Sequence, residues 1–100
     1  HVRVFNKDGK PLIGGFFAYE QGFRGGVSIS TGDVDGDGKR EIITVPGPDR
    51  SPEVKIFNKD GKNINSFMAY ENDFTSGLRI MIDDLDKDKQ DEILVGTTSF

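Results

Sequence analysis

The sequence predicts an all-β fold made of repeated four-stranded antiparallel units. Valine, isoleucine and phenylalanine supply most of the apolar residues, whereas alanine occurs only at Ala18 and Ala69. Such residues pack well on a pleated surface. No window shows the apolar spacing of an amphipathic helix, and glycines interrupt the chain throughout. A segment of about 51 residues also occurs twice. We therefore expect essentially no helix.

The repeat is visible in three pairs of segments. VRVFNKDGK at 2–10 returns as VKIFNKDGK at 54–62, and FFAYEQGFRGG at 16–26 returns as FMAYENDFTSG at 67–77. DVDGDGKREI at 33–42 returns as DLDKDKQDEI at 84–93. We divide the chain into repeat 1, residues 2–53, and repeat 2, residues 54–100. A period of this length is typical of β-propeller blades.

Each repeat contains four short apolar runs separated by turn signals. In the first repeat, Val2–Phe5 and Leu12–Tyr19 flank a turn containing Asp8-Gly9, a hairpin signal. Val27–Thr31 alternates apolar and polar residues, and Glu41–Val45 ends at a proline. The predicted strands of the second repeat are Val54–Phe57, Ile64–Tyr70, Leu78–Ile82 and Glu92–Val95. Four antiparallel strands are the content of one propeller blade.

Composition argues against several functions. The formal net charge of the 100-residue chain is −4 and no basic stripe is present, so we expect no nucleic-acid partner. No apolar run approaches the ~20 residues of a membrane-spanning helix, so we expect no membrane insertion. The chain has no cysteine and a single histidine, His1, which argues against thiol chemistry, a zinc site or a histidine-based triad.

The segment from Asp33 to Glu41 carries the clearest chemistry. Carboxylates stand at positions 1, 3, 5 and 9 of this loop: Asp33, Asp35, Asp37 and Glu41. Alternate residues of a tight loop point to one side, and the carbonyl of Lys39 at position 7 can join them. An all-oxygen shell of this kind suits Ca²⁺ better than Mg²⁺, because Ca²⁺ accepts flexible geometry. Gly38 permits the sharp bend.

Two other interpretations of this loop compete with the one above. An EF-hand needs a glutamate at position 12 and flanking helices, but position 12 is Thr44 in the first copy and Val95 in the second. Both residues lie in apolar, β-rich runs. The other alternative is a solvated acidic turn that holds no metal, and it remains open for both loops.

The motif GDVDGDGKREIITV closely resembles the core of the FG-GAP or VCBS repeat, and the flanking segments resemble its bacterial versions across nearly the whole chain. The resemblance implies calcium-binding β-propeller blades like those of integrin α-subunits. The ligands implied in the first loop are Asp33, Asp35, Asp37, the Lys39 carbonyl and Glu41. Those implied in the second loop are Asp84, Asp86, Asp88, the Gln90 carbonyl and Glu92. The sequence departs from the family pattern by having glutamate at position 9, and by Lys87 and Lys89 in the second loop.

The blade order of this family places the strands at 27–31, 41–45, 54–57 and 64–70 in one complete blade. The two strands before it and the two after it are then halves of neighbouring blades. Closure of a propeller needs about 4–8 blades. We therefore expect either a piece of a longer propeller or a ring of copies, in which three chains give six blades and four give eight. Copies of itself or neighbouring blades are the expected partners.

The expected function is a non-catalytic, calcium-binding scaffold for binding or adhesion, secreted or at the cell surface, with a glycan or a protein as its ligand. One alternative is a lectin that stacks sugars on its repeated aromatic residues: Phe16, Phe17, Tyr19, Phe23, Phe67, Tyr70 and Phe74. The other is a fragment of a calcium-dependent polysaccharide lyase. Only tyrosines and carboxylates are available as a base, so we expect no enzymatic activity.

Overall fold

The structure is a computed structural model, and it describes residues 1–48, 50–70, 78–85, 87 and 90–97. Its six strands are β1 (Val27–Gly32), β2 (Glu41–Pro46), β3 (Glu53–Phe57), β4 (Asn63–Met68), β5 (Leu78–Asp83) and β6 (Glu92–Thr97). The described part contains no helix, so the prediction of an all-β fold is confirmed. The limits of all six strands lie within two residues of those predicted. No helix in the described ranges is long and apolar enough to cross a membrane.

The strands form two antiparallel sheets. The first has the order β1-β2-β3-β4, and the second pairs β5 with β6. In the first sheet Ile43 of β2 pairs with Ser30 of β1 on one side and with Ile56 of β3 on the other. Every residue of β2 is buried, as expected for a central strand covered on both faces. In contrast, every residue of β4 is exposed.

Two apolar clusters cover the two faces of the first sheet. The first cluster joins Ile42 and Phe57 of the sheet to Val2, Ala18 and Tyr19 of the amino-terminal segment. The second joins the opposite face to the β5–β6 sheet; its members are Ile43, Val45, Val54, Ile56 and Leu78, with Ile80, Ile82, Ile93 and Val95 packed against them. The described chain is thus layered as amino-terminal segment, first sheet and second sheet.

The prediction of regular strands at Val2–Phe5 and Leu12–Tyr19 is wrong. This segment forms a loose hairpin with two isolated bridges, Val2 to Phe16 and Phe5 to Pro11. Pro11 supplies no backbone N–H, and Gly15 adopts a φ of 86° that a strand does not allow. These residues break the second arm, although the first arm has the same apolar pattern as β3.

Candidate metal centre

The loop between β1 and β2 folds around the carboxylate of Asp33. The backbone N–H groups of Gly36 and Asp37 donate to Asp33 Oδ1 at 2.9 and 3.1 Å, and that of Gly38 donates to Asp33 Oδ2 at 2.8 Å. Gly36 and Gly38 have φ values of 76° and 83°, which glycine adopts without strain. The GDG sequence therefore lets the chain wrap around its first aspartate.

The same loop brings four carboxylates together. Asp33, Asp35, Asp37 and Glu41 each offer an oxygen, and these oxygens all lie within 4.8 Å of one another. The N–H of Asp37 donates to Asp35 Oδ1 at 3.2 Å, and the N–H of Lys39 donates to Asp37 Oδ1 at 2.8 Å. Four carboxylates at this separation form a group that could bind a metal ion.

Glu41 closes the group from the start of β2. It is only 4% exposed, and its Oε1 accepts the N–H of Val34 at 3.0 Å. Burial raises the pKa of the Glu41 carboxyl, and the negative charges of Asp35 and Asp37 act in the same direction. The group therefore holds a buried negative charge beside other negative charges, an arrangement that a cation would relieve.

The pKa values of the two aspartates nearest to solvent are shifted in opposite directions. Loss of hydration raises the pKa of Asp35, and its neighbours Asp37 and Asp33 add to the effect. The hydrogen bond from the Lys39 N–H lowers the pKa of Asp37. Lys39, whose carbonyl was predicted as a ligand, borders a surface cavity of about 320 Å³ together with Asp35, Asp37 and Glu41. The four predicted side chains and Lys39 are thus neighbours.

The second loop is described only in part, because Asp86, Asp88 and Lys89 lie outside the described residues. Glu92 Oε1 accepts the N–H of Leu85 at 2.8 Å, which repeats the bond between Glu41 and Val34. Lys87 has a φ of 60°, where the first loop has glycine. The side-chain amide of Gln90 donates to the carbonyl oxygen of Val34 at 2.7 Å, so this side chain contacts the first loop.

Asp91 is a residue of the site that the sequence analysis missed. Its Oδ2 accepts the N–H of Asp33 at 2.8 Å, and its own N–H donates to the carbonyl oxygen of Asp33 at 2.7 Å. Two hydrogen bonds therefore connect the two loops at Asp33, the first residue of the carboxylate group. The repeat gave no signal for this role, because the counterpart of Asp91 in the first loop is Arg40.

Among the aromatic residues predicted as a sugar-stacking cluster, Phe16, Tyr19 and Phe23 are used in packing, whereas Phe67 and Tyr70 are exposed. Tyr19 is buried, and its ring lies 6.0 Å from that of Phe23. The ring of Phe16 packs on Phe57 at 4.6 Å. Phe17 is half exposed and contacts the His1 ring at 4.7 Å, whereas Phe74 lies outside the described residues.

Comparison of the chain with protein-family models, with curated proteins and with solved structures gave no match. The case for a function therefore depends on the geometry of the loop and on the internal repeat.

Proposed function

We propose that the chain is a calcium-binding repeat module that acts as a non-catalytic scaffold, with Ca²⁺ held in the loop between β1 and β2. The observation that carries this proposal is the convergence of four carboxylates, one of them buried, within 4.8 Å in a loop wrapped around Asp33. A group with so much negative charge in so little space is stabilised by a cation.

The ligand chemistry favours Ca²⁺ over other cations. Among the described residues the site offers only oxygen donors, which suit hard cations and disfavour Zn²⁺ or Cu²⁺. Ca²⁺ tolerates 6–8 ligands at 2.3–2.6 Å in flexible geometry, whereas Mg²⁺ demands a nearly ideal octahedron. A short loop with several mobile carboxylates meets the first requirement more readily than the second.

The propeller assignment belongs to the same proposal. The packing of a four-stranded antiparallel sheet against a second sheet, whose strands β5 and β6 correspond by the repeat to β1 and β2, supports this assignment. The resemblance to FG-GAP or VCBS repeats supports this assignment and an extracellular location. Extracellular calcium modules bind with dissociation constants of about 10⁻⁴–10⁻³ M, a range in which calcium at about 1 mM occupies between about half and about nine tenths of the sites.

The deciding experiment is thermal unfolding in calcium and in excess EDTA. Free Ca²⁺ at about 100 times its dissociation constant adds about 2.7 kcal/mol to the free energy of unfolding. For a domain of this size that corresponds to a rise in Tm of roughly 10–20 °C. Asp35→Ala should remove most of this rise, because Asp35 accepts only one long backbone hydrogen bond and contributes mainly its charge.

Asp8→Ala is the matched control. Asp8 is an exposed aspartate in a hairpin turn outside the carboxylate group, where the backbone N–H makes the local hydrogen bond. This variant should keep the full calcium response. A melting curve of the unmodified chain that is the same in calcium and in EDTA would rule out calcium binding. Titration with Mg²⁺ should give a smaller rise at equal concentration.

A further inference from the structure

The strand of the first sheet that corresponds to β6 has a partner strand on both of its edges. Within the described ranges β6 pairs with β5 alone, and no second strand lies along its other edge there. By the repeat, β6 corresponds to β2, which pairs with β1 on one side and with β3 on the other. The first sheet therefore shows which kind of strand fits the edge of β6.

The turn of the amino-terminal hairpin, residues 2–16, has the same hydrogen bonds as the turn of the β3–β4 hairpin. The N–H groups of Asp8 and Lys10 donate to Asn6 Oδ1 at 2.9 and 3.0 Å. The N–H groups of Asp60 and Lys62 donate to Asn58 Oδ1, both at 3.0 Å. The φ values of the turn glycines are also alike, 82° for Gly9 and 84° for Gly61. The turn and the first arm of this hairpin thus match those of the element that completes the first sheet, whereas its second arm is irregular.

In the first arm of this hairpin, residues 2–5, one edge pairs with the second arm and the other edge faces away from it. Val2 exchanges two backbone hydrogen bonds with Phe16, and Val4 accepts the N–H of Leu12 at 2.9 Å. Because backbone groups alternate in direction along an antiparallel strand, those of Arg3 and Phe5 point to the other side. By the repeat, Arg3 and Phe5 correspond to Lys55 and Phe57, which pair with β2.

We propose that β6 binds the amino-terminal hairpin of a second copy of this chain, which completes a four-stranded sheet between the two copies. The register follows from the pairs Ile42 to Phe57, Ile43 to Ile56 and Thr44 to Lys55 in the first sheet. Transferred by the repeat, these become Ile93 to Phe5, Leu94 to Val4 and Val95 to Arg3. This proposal concerns the sheet edges, and it does not depend on calcium binding.

Two tyrosines support this register. The hydroxyl of Tyr19 lies 3.1 Å from the carbonyl oxygen of Thr44 in β2 and 2.6 Å from that of Glu53 in β3, so it spans both strands. The hydroxyl of Tyr70 donates to the carbonyl oxygen of Val95, the counterpart of Thr44, at 3.2 Å. In the second copy, the counterpart of Glu53 is His1. Its carbonyl oxygen would then lie beside the hydroxyl of Tyr70.

Exposed apolar residues on the faces of the sheets support the same arrangement. Ile80 of β5 packs against the cluster that contains Ile43 of β2. The counterparts of these two residues are Ile29 and Leu94, which are 53% and 36% exposed. In the proposed contact, Ile29 of the second copy packs on the face that contains Leu94, as Ile80 packs against the cluster that contains Ile43. A single second copy therefore supplies both the hairpin that pairs with β6 and the Ile29 side chain that packs on the face of Leu94.

The contact is head-to-tail, so it closes only by forming a ring. Each chain then provides two four-stranded sheets, and a propeller of about 4–8 blades needs two, three or four copies if every chain is equivalent. A following repeat of a longer chain could occupy the edge of β6 in the same register. The mass of the 100-residue chain separates these two occupants.

Sedimentation equilibrium of the 100-residue chain, in calcium and over concentrations from about 1 µM to 1 mM, tests the proposal. We expect a mass of two, three or four times 11.0 kDa. Arg3→Pro removes the N–H that faces β6 and keeps the hydrogen bonds of Val2 and Val4 within the hairpin. It should raise the dissociation constant at least about tenfold relative to Arg3→Ala. The alanine variant loses the same side chain and keeps the N–H.

A second pair of variants tests the same contact independently of whether the proline variant folds. Ile29→Asp and Leu94→Lys should each weaken association, and the double variant should recover it, because the two charges then face each other between copies. A monomer at every concentration overturns the proposal and leaves the edge of β6 to a following repeat. Association that none of these variants weakens also overturns it. The calcium melting curves are read independently, so either proposal can fail alone.

Discussion

At the scale of single residues, the carboxylates of the loop between β1 and β2 have different roles. Asp33 accepts three backbone hydrogen bonds and shapes the loop. Asp35 and Asp37 are exposed and each accepts one local backbone hydrogen bond, so they mainly contribute charge. Glu41 contributes a buried charge at the start of β2. Loss of Asp33 should therefore destabilise the chain even without calcium, whereas loss of Asp35 should matter chiefly in its presence.

Glu41 gives the chain a characteristic pH dependence in EDTA. Because burial raises its pKa in the folded state, the folded protein binds this proton more tightly than the unfolded chain does. The free energy of unfolding in EDTA should therefore rise as the pH falls from 7 towards the ordinary glutamate value of 4.5. In calcium the opposite trend is expected, since protons compete with the cation for the same carboxylates.

Glu41→Gln isolates this contribution. Glutamine removes the charge, and its side-chain oxygen can still accept the N–H of Val34. Melting curves at about pH 5 and pH 7 in EDTA should show a smaller change for this variant than for the unmodified chain. An equal change in both proteins would assign the pH dependence to other groups.

At the scale of structural elements, Asp91 joins the loop of the first sheet to the β5–β6 sheet. Both of its hydrogen bonds go to the backbone of Asp33. Asp91→Ala should lower the free energy of unfolding by about 1–2 kcal/mol, because it leaves the part-buried N–H of Asp33 without its acceptor. It should also weaken calcium binding, since Asp33 then loses part of the support that fixes its position. Calorimetric titration with Ca²⁺ measures the second effect.

Asp91→Asn is the matched variant, because the amide keeps an oxygen that accepts the N–H of Asp33 and removes only the charge. It should retain most of the stability that Asp91→Ala loses. If both variants bind Ca²⁺ as tightly as the unmodified chain, the link between the loops has no role in the metal site.

The elements differ in how far the sequence could predict them. The six strands were predictable because alternation, β-branched residues and turn signals are local properties. The group Asp33, Asp35, Asp37 and Glu41 was predictable because one short loop contains it. The broken second arm of the amino-terminal hairpin was signalled by Pro11 and Gly15, but the strength of the repeat argued for a regular strand. The role of Asp91 depends on the packing of two sheets, which no local pattern reports.

At the scale of the whole molecule, the first sheet is stabilised mainly by its neighbours. Both faces of β2 are buried, one by the amino-terminal hairpin and the other by the β5–β6 sheet. The outer face of the β5–β6 sheet lacks such a cover within the described ranges, and Met81 and Leu94 are exposed there. A third layer on this face would give the second sheet the environment that the first sheet already has.

The two tyrosines allow this view to be tested with one chemical change at equivalent positions. Tyr19→Phe removes a buried hydroxyl that contacts β2 and β3 of the same chain, and it keeps the ring on which Arg50 stacks at 4.4 Å. It should lower the free energy of unfolding by about 1–2 kcal/mol at every protein concentration. Tyr70→Phe removes a hydroxyl that binds Val95 of the same chain and, in the proposed assembly, lies beside a second copy. Besides any loss of stability within one chain, it should weaken association, measured by sedimentation, and this part of its effect on Tm should shrink at concentrations too low for assembly. If the two variants lose the same stability at all concentrations, Tyr70 acts within one chain only, and this support for the proposed register is lost.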